Sequence, residues 1–415
     1  MARIAIFCPP YYSHVRLFEV LGEALSERGH DCHFILNTGA EMLVASETIA
    51  VHTVASRRGD PSAASVLKNA ERPAGILGAL RTIADSARLT DQLCAGGPDV
   101  MRRLGIEAVL CDQLEPAGFL TAAHLGLPAV AIANALPINR APGMPSPFLD
   151  WPFDPSPKGI RRAEGGDRVA DWICRKHNRV IAAWATRWKL PPWRTLHDCL
   201  PAVQIAQVVE AFDFPRPAPS PVHAVGPIRR SEPLDAALPF TIDPGKPFVF
   251  ASLGTVQGHR WRRFRAMSRA VHAAGGQIFV GHCGKLTERQ QARIGADFTA
   301  DFIPQRAALR QASLTICHAG MNTVLDSLEA GVPLLVRPIA FDQKGSTARL
   351  IHHRLGERMG RGQKALNAQV KRMLGDAALK QRLRAITGDF AVSGGTARAV
   401  ELIEAAYGNS KLPSP

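Results

Sequence analysis

Between Thr315 and Gln343 the sequence reads TICHAGMNTVLDSLEAGVPLLVRPIAFDQ. Two short apolar runs, each ending in polar groups, flank a stretch with helical spacing. His318 directly follows the first run, and Gly320, Asn322 and Thr323 come next, with the helix expected to start at Asn322 or Thr323. A helix N-terminus leaves backbone N–H groups unpaired and carries about half a positive charge, which suits a phosphate. Gly320 permits close approach of the backbone, and His318 and Thr323 add side-chain donors. The same T-x-x-D spacing, Thr323 to Asp326, also fits a capping box that needs no ligand. The second run ends at Asp342 and Gln343. An acid beside an amide both accepts and donates, as a sugar's adjacent hydroxyls require; the alternative role is to satisfy the loop's own backbone. Ser252 to Thr255, reading SLGT, places another glycine between hydroxyls after an earlier apolar run.

A second set lies near the start. His14 closes the loop CPPYYSH, and Asp112 ends the apolar run AVLCD. A neutral imidazole is a general base, and a carboxylate behind it fixes its tautomer. Two strand ends on one rim of a parallel sheet bring such a pair together.

The elements that must position these groups follow from the periodicity. RIAIF reads as a strand, and Val15, Phe18, Leu21 and Leu25 recur at helical spacing. Gly29 then stands where a helix ends, and CHFIL is the next strand. This is a βαβ unit and implies a parallel sheet. AVLCD, a helix from Pro116 and PAVAIA repeat the pattern. The segment Pro142 to Pro157, rich in Pro and aromatics, reads as a long loop. A Pro-dense stretch at 214–240 reads as a linker, after which a fresh α/β series begins with FVFASL. The expected organisation is an N-terminal domain over 1–213, a linker over 214–240, a second domain over 241–393, and a final helix and tail over 394–415. The fold class is α/β, with two doubly wound domains in series. In such sheets ligands sit at the carboxyl ends of the strands.

Composition narrows the field. The chain has 415 residues, 46% of them hydrophobic, enough for two cores. No apolar run approaches the ~20 residues that span a bilayer. MARIAIFCPP lacks the long apolar segment of a signal peptide and reads as a first strand. Eight scattered cysteines without a CxxC pair point to reduced, buried thiols. No G-x-G-x-x-G or G-x-x-x-x-G-K-[ST] follows either first strand, which removes the main support for a dinucleotide or P-loop site. The net charge of +14 suits an anionic partner. Its densest stretch, HRWRRFRAMSR from His259 to Arg269, reads either as a solvated helix face or as a headgroup or diphosphate contact.

The segment Phe302 to Gln343 has PQ, H-x-G-x-N-T, an acid, GVP and P-x-x-x-DQ in that order, and resembles the nucleotide-sugar signature of the family 1 (UDP-sugar-dependent) glycosyltransferases. The resemblance implies a GT-B fold, with two Rossmann-like domains facing each other across a cleft. It implies that Phe302 stacks on the nucleobase, that Gln305 lies at the base or ribose, and that Asp326 holds the ribose. His318, Asn322 and Thr323 would take the diphosphate, and Asp342 and Gln343 the hexose. His14 would be the catalytic base and Asp112 its partner, in an inverting reaction that uses no metal and no cofactor beyond the donor. Many members carry Trp where Phe302 stands and Glu where Asp326 stands, which leaves uridine or thymidine open. PPYYSHVR, DQLEPAG, ALPINR and FASLGTVQGHR further resemble the carotenoid glucosyltransferases of this family. They imply UDP-glucose as donor and an apolar carotenoid acceptor. They also imply peripheral contact with the inner face of the membrane from the cytoplasm, and no nucleic-acid partner. Phe148 and Trp151, in the Pro-rich loop, would line or cover the acceptor channel. The alternatives are another apolar acceptor, such as a macrolide or sterol, and a UDP-sugar epimerase.

Overall fold

A computed structural model describes residues 1–56, 61–71, 75–233 and 235–409. Two parallel sheets organise the chain. The first has the strand order β3-β2-β1-β4-β5-β6-β7. Its strands are β1 (Arg3–Phe7), β2 (Asp31–Asn37), β3 (Ala50–Val54), β4 (Ala108–Asp112), β5 (Ala129–Ala133), β6 (Gln204–Ala206) and β7 (Val222–Ala224). The second has the order β10-β9-β8-β11-β12-β13. It comprises β8 (Phe248–Ser252), β9 (Gln277–Gly281), β10 (Phe298–Ala300), β11 (Leu314–Cys317), β12 (Leu334–Val336) and β13 (Gly356–Arg358). The central strands are near-continuous apolar runs because helices cover both faces. β1 shows how one strand feeds two cores. Ile4 and Ile6 join the cluster of Phe18 and Leu21 on helix Tyr12–Glu27. Ala5 and Phe7 point the other way, into the cluster of Leu93 and Ile181 from helices Gly75–Leu104 and Arg175–Arg187. That alternation is the period of two of a pleated strand.

Three features differ from the expectation or extend it. The Pro-dense stretch at 214–240 is not all linker, since it contains β7, the edge strand beside β6. Helix Gly75–Leu104 carries Pro98 inside it, which obscures its periodicity in the sequence. The final helix, Gly395–Asn409, returns to the first half. Its Ala399, Val400 and Ile403 pack with Phe18 and Leu21, and Tyr407 donates its hydroxyl proton to the Val109 carbonyl at 2.9 Å. The tail at 410–415 lies outside the described residues. The segment from Asn134 to Ser156 contains no helix or strand. It is fastened to helix Gln343–His352 by the Gly345 N–H, which donates to the Pro147 carbonyl at 3.0 Å. A Cβ at Gly345 would lie 2.4 Å from that oxygen, so only glycine permits this approach. The cysteines are free thiols. Among the described residues, no helix is long and apolar enough to cross a membrane.

Candidate active site

In each sheet the strand order reverses direction at the first strand: β1 lies between β2 and β4, and β8 between β9 and β11. Ligand crevices form outside the carboxyl ends of strands at such points. His14 and Asp112 sit at the first reversal. β1 and β4 are register partners through Phe7 and Cys111, so the loop after β1 and the end of β4 share one rim. Helix Tyr12–Glu27 then lifts His14 in its first turn. Its Nδ1 lies 2.7 Å from Asp112 Oδ2, and Asp112 is fully buried. The other oxygen, Oδ1, accepts the Leu114 N–H at 2.8 Å. An ionised carboxylate only accepts, so Nδ1 carries the proton and the Nε2 lone pair is free.

His318 and Gly320 sit at the second reversal, after β11. The imidazole is lodged between two glycines. A Cβ at Gly254 would come within 2.7 Å of the ring, and one at Gly320 within 2.5 Å. Burial is the main cause that pushes the His318 pKa down to about 4, against a hydrogen bond with the Ser252 backbone, so the ring is neutral at pH 7. Its Nδ1 is buried with no partner. The helix starts at Met321, with Gly320 as N-cap and no side-chain cap. The start expected at Asn322 or Thr323 is thus one to two residues late, and the capping-box reading of Thr323 and Asp326 falls. Thr323 lies buried in the first turn instead.

Asp326 is already engaged. It forms an ion pair with Arg229 from the interdomain stretch and accepts the Gln305 Nε2–H at 2.6 Å. Gln305 and Asp326 therefore meet, in a network that also holds Arg229 on Glu329. Phe302 is 64% exposed, an open aromatic face on the same domain. Ser252 is buried and accepts the Gly254 N–H at 3.2 Å, while Thr255 opens a short helix, Gly254–Gln257. Gln343 is 5% exposed, and its Oε1 accepts the N–H groups of Ile339 at 2.7 Å and Ala340 at 2.8 Å. Its carbonyl serves the loop, leaving its amide nitrogen for a ligand. Asp342, at the N-cap of helix Gln343–His352, keeps Oδ2 buried with no partner. Burial raises its pKa to about 6, opposed by its own backbone N–H and then by His14 and Arg349.

That influence of His14 crosses between the two halves. Tyr11 and Phe341 meet edge-on with ring centroids 6.3 Å apart. Gln207, just after β6, donates to Asn322 Oδ1 at 2.8 Å and to Asn134 Oδ1 at 3.1 Å. The two rims therefore face each other, with His14 on one and Asp342 on the other. The backbone is strained where the second rim turns: Ala319 has φ 68° and Phe341 φ 54°. Left-handed conformations in residues with a Cβ cost about 1–2 kcal/mol each and are sustained where the surrounding structure over-determines them.

Sequence reasoning missed several groups. Glu115 caps helix Pro116–Leu125 through the Ala117 N–H at 3.2 Å and accepts the Thr90 hydroxyl at 2.8 Å. Burial raises its pKa to about 7, against those two hydrogen bonds. An acid directly before a first-turn proline is a readable capping signal. Arg349 is 1% exposed and donates from Nε to Asp213 Oδ1 at 2.6 Å, with its guanidinium 4.2 Å from the Phe214 ring centroid. Nothing in its local pattern announces that burial. The basic stretch at 259–269 forms the amphipathic helix Trp261–Ala273, which buries Phe264, Met267 and Val271. Among the described residues, no group of three or more His, Cys, Asp or Glu is placed to hold a metal ion.

The family description "UDP-glucoronosyl and UDP-glucosyl transferase" matches residues 194–381. A zeaxanthin glucosyltransferase of Pantoea ananas is 40% identical over 413 residues, covering 97% of this chain and 96% of its own. A second, of Pseudescherichia vulneris, is 37% identical over 423 residues and covers 100% of both. Among solved structures, the calicheamicin glycosyltransferase CalG4 superposes with a TM-score of 0.75 at 19% identity, over 99% of this chain and 100% of its own.

Proposed function

Since the chain belongs to the family of UDP-glucosyl and UDP-glucuronosyl transferases, and is therefore a glycosyltransferase, we propose that it moves glucose from UDP-glucose to the hydroxyls of zeaxanthin, giving the monoglucoside and then the diglucoside. The reaction type rests on one observation: His14, oriented by Asp112, faces the rim of His318 and Asp342 from the other domain. The acceptor rests on the two relatives, which align over nearly the whole chain, acceptor half included.

The steps follow from the groups present. His14 Nε2 takes the proton of the acceptor hydroxyl as that oxygen bonds to the anomeric carbon. Asp112 stabilises the imidazolium that forms. The bond between the anomeric carbon and the β-phosphate oxygen breaks, and its electron pair leaves with UDP. The N–H groups at Met321–Thr323 and a His318 N–H stabilise that charge. Phe302 stacks on the uracil. The Gln305–Asp326 pair meets the ribose, and Asp342 accepts from hexose hydroxyls, with the Gln343 amide beside it. Ser252 and Thr255 shape the loop against the diphosphate.

The test is a product assay with UDP-glucose and detergent-dispersed zeaxanthin, read by chromatography and mass. Mono- and diglucosides are expected. Glucosylation of a macrolide or sterol but not zeaxanthin would overturn the acceptor, and isomerised UDP-sugar without acceptor would overturn the transferase.

Two substitutions probe the donor half. Asp342→Asn removes a carboxylate acceptor from the hexose. Hydrogen bonds to charged groups are worth about 1.5–3 kcal/mol, so kcat/KM is expected to fall by about tenfold or more. The same change should raise the thermal stability of the free protein at pH 8. An acid whose folded pKa is raised to about 6 loses its stabilising contribution as pH rises through that value, and an amide does not. A loss of stability at pH 8 with unchanged kcat/KM would contradict the assignment. Gly320→Ala would put a methyl 2.5 Å from the His318 ring. UDP affinity is expected to fall, by calorimetry, with folding retained; wild-type affinity would remove His318 from the diphosphate site.

A further inference from the structure

Helix Pro157–Ile173 has two faces of different chemistry. At 3.6 residues per turn, Gly159, Ala163, Gly166 and Ala170 share one side, and the first three are buried. An outward stripe, about 120° wide by the same geometry, carries Lys158, Arg161, Arg162, Arg168, Val169 and Trp172, all of them exposed. Val169 is 56% and Trp172 54% exposed. No acid lies within this stripe, but the exposed Glu164 borders it, about 40° from Arg168 by the same geometry. Asp167 and Asp171 stand off it and are occupied by Arg140, at 3.5 and 2.5 Å. The next helix, Arg175–Arg187, adds Arg175, Lys176, Arg179 and Arg187 and no acid. Arg175 stacks over Trp172 at 4.4 Å from the ring centroid.

A tryptophan and a valine held outward among exposed cations are not explained by packing, although one of those cations, Arg162, pairs with Asp154 at 3.8 Å. An indole sits favourably at the headgroup level of a bilayer, and a basic face on an amphipathic helix is drawn to anionic lipid. We infer that the outward face of helix Pro157–Ile173, from Lys158 to Trp172, is a docking surface for an anionic lipid bilayer. The inference deepens the proposed function: an acceptor dissolved in the membrane must reach an enzyme in which no described helix crosses it. Position supports it as well. This helix directly follows the loop that is fastened to helix Gln343–His352 at Gly345, so docking sets the chain's acceptor half against the bilayer.

The experiment is co-sedimentation of the full chain with vesicles of phosphatidylcholine mixed with phosphatidylglycerol, and with phosphatidylcholine alone. Wild type is expected on the mixed vesicles, to leave them at high salt, and to bind neutral ones weakly. Each basic side chain near an anionic leaflet is worth roughly a fivefold change in partition, so K158A/R161A/R168A should bind about a hundredfold more weakly. Trp172→Ala, which removes no charge, should bind more weakly on the mixed vesicles. Both variants should keep the wild-type melting temperature and the wild-type rate on detergent-dispersed acceptor. Unchanged binding by the triple variant would overturn the inference. So would equal binding of wild type to neutral vesicles, or wild type leaving the mixed vesicles for a nucleic-acid duplex at the same salt. Failure of the acceptor reading is separate, since it shows as absent glucoside in detergent while vesicle binding persists.

Discussion

His14→Ala is expected to lower the rate of glucosyl transfer by ~10²–10⁴, the range of a positioned general base, with UDP affinity unchanged. The separation of effects follows from the architecture. His14 belongs to the first sheet's rim and touches Asp112 at 2.7 Å, whereas the groups assigned to the nucleotide stand on the second domain. Asp112→Asn should show a loss of similar order for a different reason. An amide in place of the carboxylate can donate to Nδ1, which favours the tautomer whose proton sits on Nε2, and the base is then blocked. Rates measured with saturating UDP-glucose, beside calorimetric UDP affinities, check both. A His14→Ala protein that turns over at the wild-type rate would assign proton removal elsewhere.

Asp213→Ala is expected to destabilise the protein by about 3–5 kcal/mol, because it strands a buried cation. Asp213 lies near the junction of the two halves and is 5% exposed. Its Oδ1 accepts from Arg349 Nε at 2.6 Å and its Oδ2 from Arg216 Nε at 2.7 Å. Its backbone carbonyl lies 2.9 Å from His353 Nε2. Arg349 also donates to the Gly345 carbonyl, so the pair ties the junction to the helix that carries Gln343. Burial opposes ionisation of Asp213, but Arg349 and Arg216 hold its pKa below the usual carboxylate range. A depressed folded pKa contributes stability that is present above the unfolded value near 3.8 and is lost as pH falls through the folded value. The destabilisation should therefore be full at pH 7 and shrink below about pH 4, the ordinary aspartate range. Thermal melts across that range check it; a wild-type midpoint at pH 7 would contradict it.

Much of the architecture was legible because parallel strands buried on both faces announce themselves as short apolar runs. AVLCD is β4 to the residue, and FVFAS is β8. The candidate site was legible where residue types that could do chemistry follow the strands, and the structure sets His14 and Asp112 on one rim and His318 and Asp342 on the facing one. What escaped depends on tertiary context. β7 is three residues long within a Pro-dense stretch. Asp326 reads as a capping acid or a ribose ligand, yet it meets Arg229, ninety-seven positions earlier in the chain. Gln343 reads in the sequence as either a sugar ligand or a support for its loop, and two backbone N–H groups occupy its carbonyl. Local spacing carries no signal for partners that only folding brings together, and Arg349 with Asp213 is the extreme case.

In the proposed mechanism the acceptor oxygen, deprotonated by His14, attacks the anomeric carbon from the side opposite the diphosphate held at His318 and Gly320. The most direct measurement is the anomeric configuration of the glucoside, read from its proton coupling by NMR. UDP-glucose carries an α linkage, so single in-line displacement gives a β-glucoside. A β product is the predicted result; an α-glucoside would require a retaining route and would contradict His14 as the base.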